Sequence, residues 1–592
     1  MCLQQKIGRF SDIKTQDKVF KEEKERARVM QQQVKQYFKN FFIYDLKAGF
    51  ITAIVALPLA IAFAIASGVE PIMGLYTAII AGMLGSFLGG STFSITGPTG
   101  AMTVIILSTV HKFGMEGLFL AGFLAGLFQI LFGVLRLGIV VKYIPVPVVT
   151  GFTAGIGVII FIGQIANGLG LSLAPQEHVW ETFFVIFEHI QESDPIAIGI
   201  ALFTIGCLMF LPKIFMKFSF LKNVPASMIA LILSTTAVFW WGWDIPQVGM
   251  IPTGLPPFSW PSFDFPLIKN VLPAAFTIAL LGSIEALLCA VVCDAMANTK
   301  HKSDKELISQ GIGNVILPFF QAIPATAAIA RSAVNIREGA KTRYAGVIHA
   351  LFVLLIVFFF SHLAKYIPKA FLAGILMYVS AKMINPEEWK MIFHTSMADT
   401  MVLGITFLLT VLTDLVLAVE IGMLLAVFLL FVRLTNLIDI SHMEHYDKHT
   451  GINVLLNADP KIREQVSVYT LHGPFFFGTM NVFEQKINEY LRESKQYIVI
   501  RFKHVPFIDS TGVLQLNSFI HHRQKIGGHV FLSGLNEQVK EVLFKNKEFM
   551  HLMKKEHIFE KAKDAIQYIS ANYIFTQEEM QKETNVPEEK KS

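Results

Sequence analysis

The sequence predicts a polytopic α-helical membrane protein, with fourteen spans in a 7+7 inverted repeat and a soluble α/β domain at the C-terminal end. Three observations predict it. Apolar runs of membrane-crossing length fill the middle of the chain, basic residues crowd one set of short loops, and a pair of motifs recurs in both halves with its sides exchanged.

Of the 592 residues, 53% are hydrophobic and 16% charged, with a mean hydropathy of +0.52. A soluble chain of this length could not cover so much apolar surface. Residues 1–45 and 436–592 hold most of the charged side chains. Between them lie fourteen apolar segments, near 46–68, 71–89, 98–110, 115–135, 146–168, 194–211, 223–241, 268–294, 306–322, 329–337, 344–363, 368–385, 397–413 and 416–435. The third and tenth are too short to span as helices, and each follows a short β-like stretch containing Gly or Pro. Irregular backbone at membrane depth is tolerated only where protein or a wet cavity satisfies it.

The first 40 residues are polar and contain no apolar leader, so no cleaved signal is expected. Cys2, Cys207, Cys289 and Cys293 form neither a disulfide framework nor a metal-ligand pattern, and no cofactor is expected. A net charge of +5 is small for this size and gives no reason to invoke nucleic acid.

An even number of spans puts both termini on one side. With the termini inside, the short inner loops carry Arg136, Lys142, Lys213, Lys217, Lys222, Lys300, Lys302, Lys305, Arg337, Lys341, Arg343, Lys382 and Lys390, and the outer ones only Lys112, Lys269 and Lys365. The outer loop near 170–193 has Glu177, Glu181, Glu188 and Glu192 with no Lys or Arg. This asymmetry predicts a plasma (inner) membrane protein with cytoplasmic termini, surrounded by lipid.

The repeat rests on matched motifs. Gly97-Pro98-Thr99-Gly100-Ala101 is followed by Lys142-Tyr143-Ile144-Pro145, and Ile323-Pro324-Ala325-Thr326-Ala327 by Lys365-Tyr366-Ile367-Pro368. Pro98 to Tyr143 is 45 residues and Pro324 to Tyr366 is 42. Lys142 falls inside and Lys365 outside, which inverts the topology. The alternative is coincidence, since Pro and aromatic residues are common at membrane interfaces.

Broken spans at matching positions point to a transporter's binding site near the midplane. Two short helices, starting near Pro98 and near Ile329, would aim their N-termini at each other, and a helix N-terminus suits an anion. Ser94, Thr96 and Thr99 add hydroxyl donors, and Gly97 and Gly100 would let a ligand approach the backbone. Arg331, deep in an apolar region, either attracts the anion or pairs structurally with a carboxylate. Glu285 is the only ionisable residue between Val271 and Val292. A carboxyl group without a fixed cation can carry a proton there; pairing with Arg331 is the alternative. Glu285 lies 39 residues before Pro324, and the matching point before Pro98 is Leu59. This puts Glu285 and the Pro58 region around one pocket. Phe63 shares the helix face of Leu59 and reads equally as lining or core. Asp414 and Glu420 rank below Glu285.

Residues 464–575 change register. Val466–Tyr469, Tyr497–Ile500 and His529–Leu532 read as strands, with helices after Asp509-Ser510-Thr511-Gly512 and from about Asn536. Asp509 or Ser510 makes an N-cap. No nucleophile–base pair or phosphate-cradling loop is present, so no enzyme is expected. The domains expected are 1–45, a cytoplasmic N-terminal segment; 46–436, the transmembrane domain; 437–463, a linker; 464–575, the α/β domain; and 576–592, a disordered tail.

The chain resembles the sulfate permease family, also called solute carrier family 26. The motifs are Leu57-Pro58-Leu59-Ala60-Ile61-Ala62-Phe63-Ala64, Gly74-Leu75-Tyr76, Gly97-Pro98-Thr99-Gly100-Ala101, Ser283-Ile284-Glu285 and Ala330-Arg331-Ser332. The terminal part resembles a STAS domain through Asp509-Ser510-Thr511-Gly512, and the likeness covers about 40–575. It implies a core of spans 1–4 and 8–11 sliding against a gate of spans 5–7 and 12–14, elevator-like alternating access and a homodimer. It puts the anion site on Phe63, Thr99, Gly100, Ala101, Ala328 and Arg331. Sodium–bicarbonate co-transporters of the family carry an Asp and a Thr on the eighth span and a Thr on the tenth, where this chain has Glu285, Cys289 and Ile329. The difference favours proton over sodium, carried by Glu285. Antagonist proteins related to STAS domains are phosphorylated at the position of Thr511, making Asp509, Ser510 and Thr511 a candidate regulatory loop.

The function expected is secondary active, proton-coupled symport of a small inorganic or carboxylate anion, such as sulfate, bicarbonate or a dicarboxylate. An uncoupled channel or exchanger is the alternative; an isolated intramembrane acid counts against it. A ligand sensor and a nucleobase transporter are further alternatives.

Overall fold

The computed structural model describes residues 35–139, 145–173, 176, 179–215, 217, 224–252, 254, 256–261, 264–413, 415–435, 439–442, 460–479, 483 and 495–574. Lys142, Tyr143 and Ile144 of the first repeat motif, Asp414, and the expected 576–592 tail lie outside these residues. Two compact units divide the chain, Met1–Leu424 and Leu425–Ser592.

The first unit is helical. Its elements are α1 (Phe42–Ala66), α2 (Pro71–Leu88), α3 (Gly100–Val134), α4 (Val146–Gly168), α5 (Val179–Glu188), α6 (Pro195–Phe215), α7 (Ala226–Trp241), α8 (Phe265–Ala297), α9 (Ser303–Ile316), α10 (Ile329–Arg337), α11 (Tyr344–Ala364), α12 (Lys369–Met383), α13 (Pro386–Phe393) and α14 (Met397–Leu412). A further helix, α15 (Leu415–Thr435), carries residues of both units. Among the described residues, seven helices are long and apolar enough to cross a membrane, and α7 and α14 are shorter apolar helices. Every expected segment contains a helix. The third and fourth run on as α3, broken at Gly114, whose φ of 70° and ψ of −172° interrupt the helix where glycine is at ease.

Two helices of the first unit escaped the sequence reading. The acidic loop near 170–193 contains α5, and a capped helix, α13, follows α12. Asn385 caps α13, accepting the Glu387 N–H at 3.1 Å, with Pro386 in the first turn.

Between the halves, β1 (Thr96–Gly97) pairs antiparallel with β2 (Thr326–Ala327), Thr96 opposite Ala327 and Gly97 opposite Thr326. Each strand leads into a short helical run, α3 up to its break and α10. This pairing is consistent with the repeat, but in a register different from the one the prolines suggest. Thr99, just before α3, lies one residue after Pro98; Ala328, just before α10, lies four after Pro324. The reason is an additional extended stretch around Pro324, pinned on both sides. The Ala325 N–H donates to Asn314 Oδ1 at 2.8 Å, and the Ile323 N–H to Thr77 Oγ1 at 2.9 Å.

Small residues and buried polar groups hold these helices together. A Cβ on Gly311 of α9 would stand 2.6 Å from the Gly126 carbonyl of α3, so the two helices meet backbone to backbone. Asp45, buried in α1, accepts the Lys341 N–H at 2.7 Å and the Thr342 N–H at 3.1 Å, tying the start of α1 to the turn after α10.

In the second unit, β3 (Asp439–His442), β4 (Val466–His472), β5 (Tyr497–His504), β6 (His529–Ser533) and β7 (Ile558–Phe559) form a sheet in that order, antiparallel between β3 and β4 and parallel elsewhere. The edge strand β3 falls inside the expected 437–463 linker. Helices α16 (Pro460–Gln465), α17 (Ser510–Lys525), α18 (Glu537–Lys545), α19 (Lys547–Leu552) and α20 (Ala562–Ile569) complete the unit. Asp509 caps α17, with its Oδ1 accepting the Gly512 N–H at 2.8 Å and its Oδ2 the Phe477 N–H at 3.1 Å. Ser510 starts the helix and is exposed, and Thr511 is half-buried.

Two outcomes follow from this packing. Gly311→Val should destabilise the protein by about 1–3 kcal/mol, because the added side chain meets backbone that cannot rotate away; the melting temperature of the solubilised protein should fall by several degrees, and an unchanged one would refute the backbone contact. Asp509→Ala should cost about 1 kcal/mol of cap energy, so first-turn amides of α17 should exchange hydrogen several-fold faster in the full-length protein.

Candidate functional site

Extended residues Thr99 (φ −132°, ψ 160°) and Ala328 (φ −101°, ψ 118°) precede α3 and α10, and neither helix has a side-chain cap. First-turn N–H groups have no intrahelical acceptor, so both starts present free donors and positive dipole ends. Between them lies a cavity of about 580 Å³. Phe63, Thr99, Gly100, Ala101, Ala328 and Arg331 all line it, as does Glu285. Residues of α1, α3, α8 and α10 line it together with residues of α4, α12 and α15, including Val149, Phe152 and Met383. The lining thus draws both on spans expected as core and on spans expected as gate.

The expected hydroxyls separate. Thr99 Oγ1 stays at the cavity and donates to Glu285 Oε2 at 2.8 Å. Thr96 instead accepts from Gln310 Nε2 at 3.0 Å and packs where a Cβ on Gly85 would clash. Ser94 lies 4.0 Å from the sulfurs of Cys289 and Cys293. Neither Thr96 nor Ser94 lines the cavity, because successive side chains of an extended segment alternate sides.

Arg331 occupies the floor, only 1% exposed. Its Nη2 donates to the Pro98 carbonyl at 2.6 Å, while Nη1 is buried without a hydrogen-bond partner. A Cβ on Gly97 would stand 2.5 Å from Nη1. Gly97 therefore makes room for the guanidinium, not for a ligand as the sequence suggested. Among the described residues no ion pair joins Arg331 to Glu285, which opens half-buried on the cavity. The site thus keeps an unpaired cation, an acid and two sets of backbone donors in one space.

Behind it, a polar scaffold holds the broken segments. Ser332 Oγ accepts the Ile95 N–H at 2.9 Å and the Cys289 thiol at 3.2 Å. Asn314 Nδ2 donates to Gln129 Oε1 at 2.8 Å, and Thr326 Oγ1 to the Gly282 carbonyl at 2.8 Å. Glu306 Oε2 accepts the N–H groups of Gly90 and Ser91, at 2.8 and 2.9 Å. The sequence held a signal for part of this: Glu306, Gln310 and Asn314 recur every four residues on one face of a largely apolar span. At the far end of the cavity stand Lys382, Asn385 and Glu388. Glu388 accepts from Thr150 Oγ1 at 3.1 Å and from Asn385 Nδ2 at 3.0 Å. From sequence alone Lys382 reads only as an inner-loop charge.

Comparison with known proteins agrees with this architecture. A model of the sulfate permease family matches residues 42–406 and one of the STAS domain matches 457–565. YvdB of Bacillus subtilis, whose name assigns it provisionally to sulfate transport, is 38% identical over 532 residues, covering 89% of this chain and 97% of YvdB. The bicarbonate transporter BicA of Synechocystis is 32% identical over 517 residues, covering 85% and 90%. Among solved structures, SLC26A9 superposes with a TM-score of 0.82 over 92% of each chain at 18% identity, a likeness of fold. The transmembrane domain of a cyanobacterial BicA gives 0.57 at 33% identity, over 65% of this chain and 97% of that one. The sulfate permease model spans well over half of the chain and the STAS model follows it, and the chain belongs to the sulfate permease family of membrane anion transporters.

Proposed function

We propose that the chain is a secondary active transporter that moves a small anion together with a proton by elevator-like alternating access. One observation carries this reading: the acid Glu285 hydrogen-bonds Thr99, the residue that opens one of the two anion-facing helices. Proton and anion would therefore meet in one cavity. A charged Glu285 repels an anion, and a protonated one does not, so each ligand favours the other. Arg331 supplies the opposing charge from beneath, in surroundings of low dielectric where it counts for more than in water.

Sulfate and bicarbonate, named for the relatives, are the first substrates to try; small dicarboxylates also suit two helix N-termini. The sodium-type side chains of the family are replaced by Glu285, Cys289 and Ile329. The positive-inside pattern supports a plasma-membrane location with cytoplasmic termini, and on that orientation the cavity, reaching Lys382, opens inward. Family resemblance supports a homodimer and a regulatory role for the STAS domain, with Asp509, Ser510 and Thr511 at the start of α17 as its candidate regulatory residues.

The deciding experiment is uptake into proteoliposomes across a panel of labelled anions, with proton and sodium gradients imposed separately. Accumulation under an acid-outside gradient, and none under sodium alone, is expected; sodium-driven accumulation overturns proton coupling. Glu285→Gln should abolish gradient-driven accumulation while leaving downhill anion flux, and persistent accumulation would remove Glu285 from the coupling step. Arg331→Gln should weaken binding of every anion, and of dianions more than monoanions. Equal dianion affinity in the variant and wild type would deny Arg331 its electrostatic role.

A further inference from the structure

A second cavity, of about 410 Å³, lies in the first unit away from the anion site. Volumes of about 300–1,000 Å³ are typical of ligand sites. Its walls are α1 (Leu57, Ile61), α7 (Leu231, Phe239) and α11 (Ile356, Phe360), apolar almost throughout. Hydroxyls of Thr235, Thr236, Ser361 and Tyr366 break the pattern, and two of them stand out. Ser361 is 4% exposed, and both its Oγ and the Oγ1 of Thr235 are buried without a hydrogen-bond partner. Serine and threonine in membrane helices ordinarily satisfy themselves on their own backbone, as neighbouring Ser234 does on the Ala230 carbonyl at 2.6 Å.

We propose that this groove binds one acyl chain of a membrane glycerophospholipid, whose ester carbonyl accepts from Ser361 and Thr235 and whose phosphate sits at Lys365. The surroundings name the occupant. Phe358, Phe359, Trp240 and Trp241 are exposed on the same two helices, and on spanning helices that exposure faces lipid. Tyr366 packs on Phe239 with ring centroids 5.0 Å apart, and Lys365 Nζ stands 4.6 Å from the Tyr366 ring centre, an aromatic and basic pair of the kind found at headgroup level. Ser361 precedes Lys365 by four residues, about one helical turn deeper. An ester lies below its phosphate in the same order. An apolar space stays dry, so a hydrocarbon tail, and not water, would fill it.

The groove also touches the transport machinery. Leu57 and Ile61 line it, while Leu59 and Phe63, on the opposite face of α1, line the anion cavity. A seated chain backs the helix that carries Phe63 and wedges between α7 and α11, which belong to opposite sides of the proposed sliding boundary. Lipid occupancy would thereby set how easily that boundary moves.

The test uses full-length protein in phosphatidylcholine vesicles doped with a phosphatidylcholine bearing a photoreactive diazirine on one acyl chain. After irradiation, adducts are mapped by mass spectrometry. Adducts should concentrate on residues 231–239 and 356–367, well above the exposed lipid-facing residues Leu202 and Phe203 of α6. Ser361→Phe, which fills the groove, should lower groove adducts about tenfold, equivalent to about 1.4 kcal/mol, and leave those on α6 unchanged. Should that variant fail to fold, Thr236→Phe fills the same groove from α7. A diether analogue, lacking the ester carbonyls, should label the groove several-fold less. Groove labelling no greater than on α6, or indifferent to both filling variants, overturns the site. Cross-links from the groove to a second protomer would assign it to a subunit contact, and equal labelling by the diether would remove the hydroxyl–ester bond.

Discussion

The structure depends on one constraint: backbone that leaves the helix inside a membrane must find its hydrogen-bond partners within the protein. Here the two broken segments satisfy each other. Thr96–Gly97 and Thr326–Ala327 form a minimal antiparallel ladder, the Ala328 N–H donates to the Ile95 carbonyl at 3.0 Å, and Arg331 takes up the carbonyl of Pro98. That crossing aims two helix starts at one space. Without it there would be no convergent donors, and Arg331 would have no floor on which to rest.

The crossing needs its own support. Side chains that would be out of place in an apolar span become necessary behind it: Gln310 on Thr96, Asn314 on Ala325, Thr326 on Gly282. Each is buried, and Gln310 and Asn314 meet polar groups of the broken segments that burial would otherwise leave unsatisfied, at a cost of about 1–3 kcal/mol. The polar face of α9 is thus a consequence of the broken segments on α3 and α10. Close packing of small residues, as at Gly126 and Gly311, brings that face near enough to reach them.

Much of this was legible in the sequence because hydropathy, charge asymmetry and helix punctuation are local signals. The helices fall where the apolar runs do, even the nine-residue Ile329–Arg337, and Asp509 is the cap its loop promised. Glu285 and Arg331 stood out because an isolated charge in an apolar stretch is expensive. Other features depended on three-dimensional placement. Which of Ser94, Thr96 and Thr99 faces the ligand is decided by strand alternation around a ladder two residues long. The proline alignment missed the repeat register because the stretch at Pro324 is held by Thr77, remote in sequence, as well as by Asn314 of the preceding helix. The strand Asp439–His442 read as linker since its partner, Val466–His472, follows only after a long gap. Lys382 looked like any inner-loop lysine, though it borders the cavity.

Glu285 and Arg331 share one cavity without pairing, and on the proposed mechanism this sets the electrical charge of the moving body. Empty, with the acid ionised, the two cancel. Loaded with one monoanion and one proton, they cancel again. Either ligand alone leaves one uncompensated unit, and displacing it through the membrane field changes the energy by about 2.3 kcal/mol per 100 mV, beyond its desolvation. The neutral states cross with least resistance and the half-loaded ones are held back, so a fixed coupling ratio arises from neutrality and requires no mechanical latch. A dianion carried with a single proton breaks the balance. Its import would run against an inside-negative potential, and membrane voltage, more than pocket shape, would then discriminate between substrates of equal size.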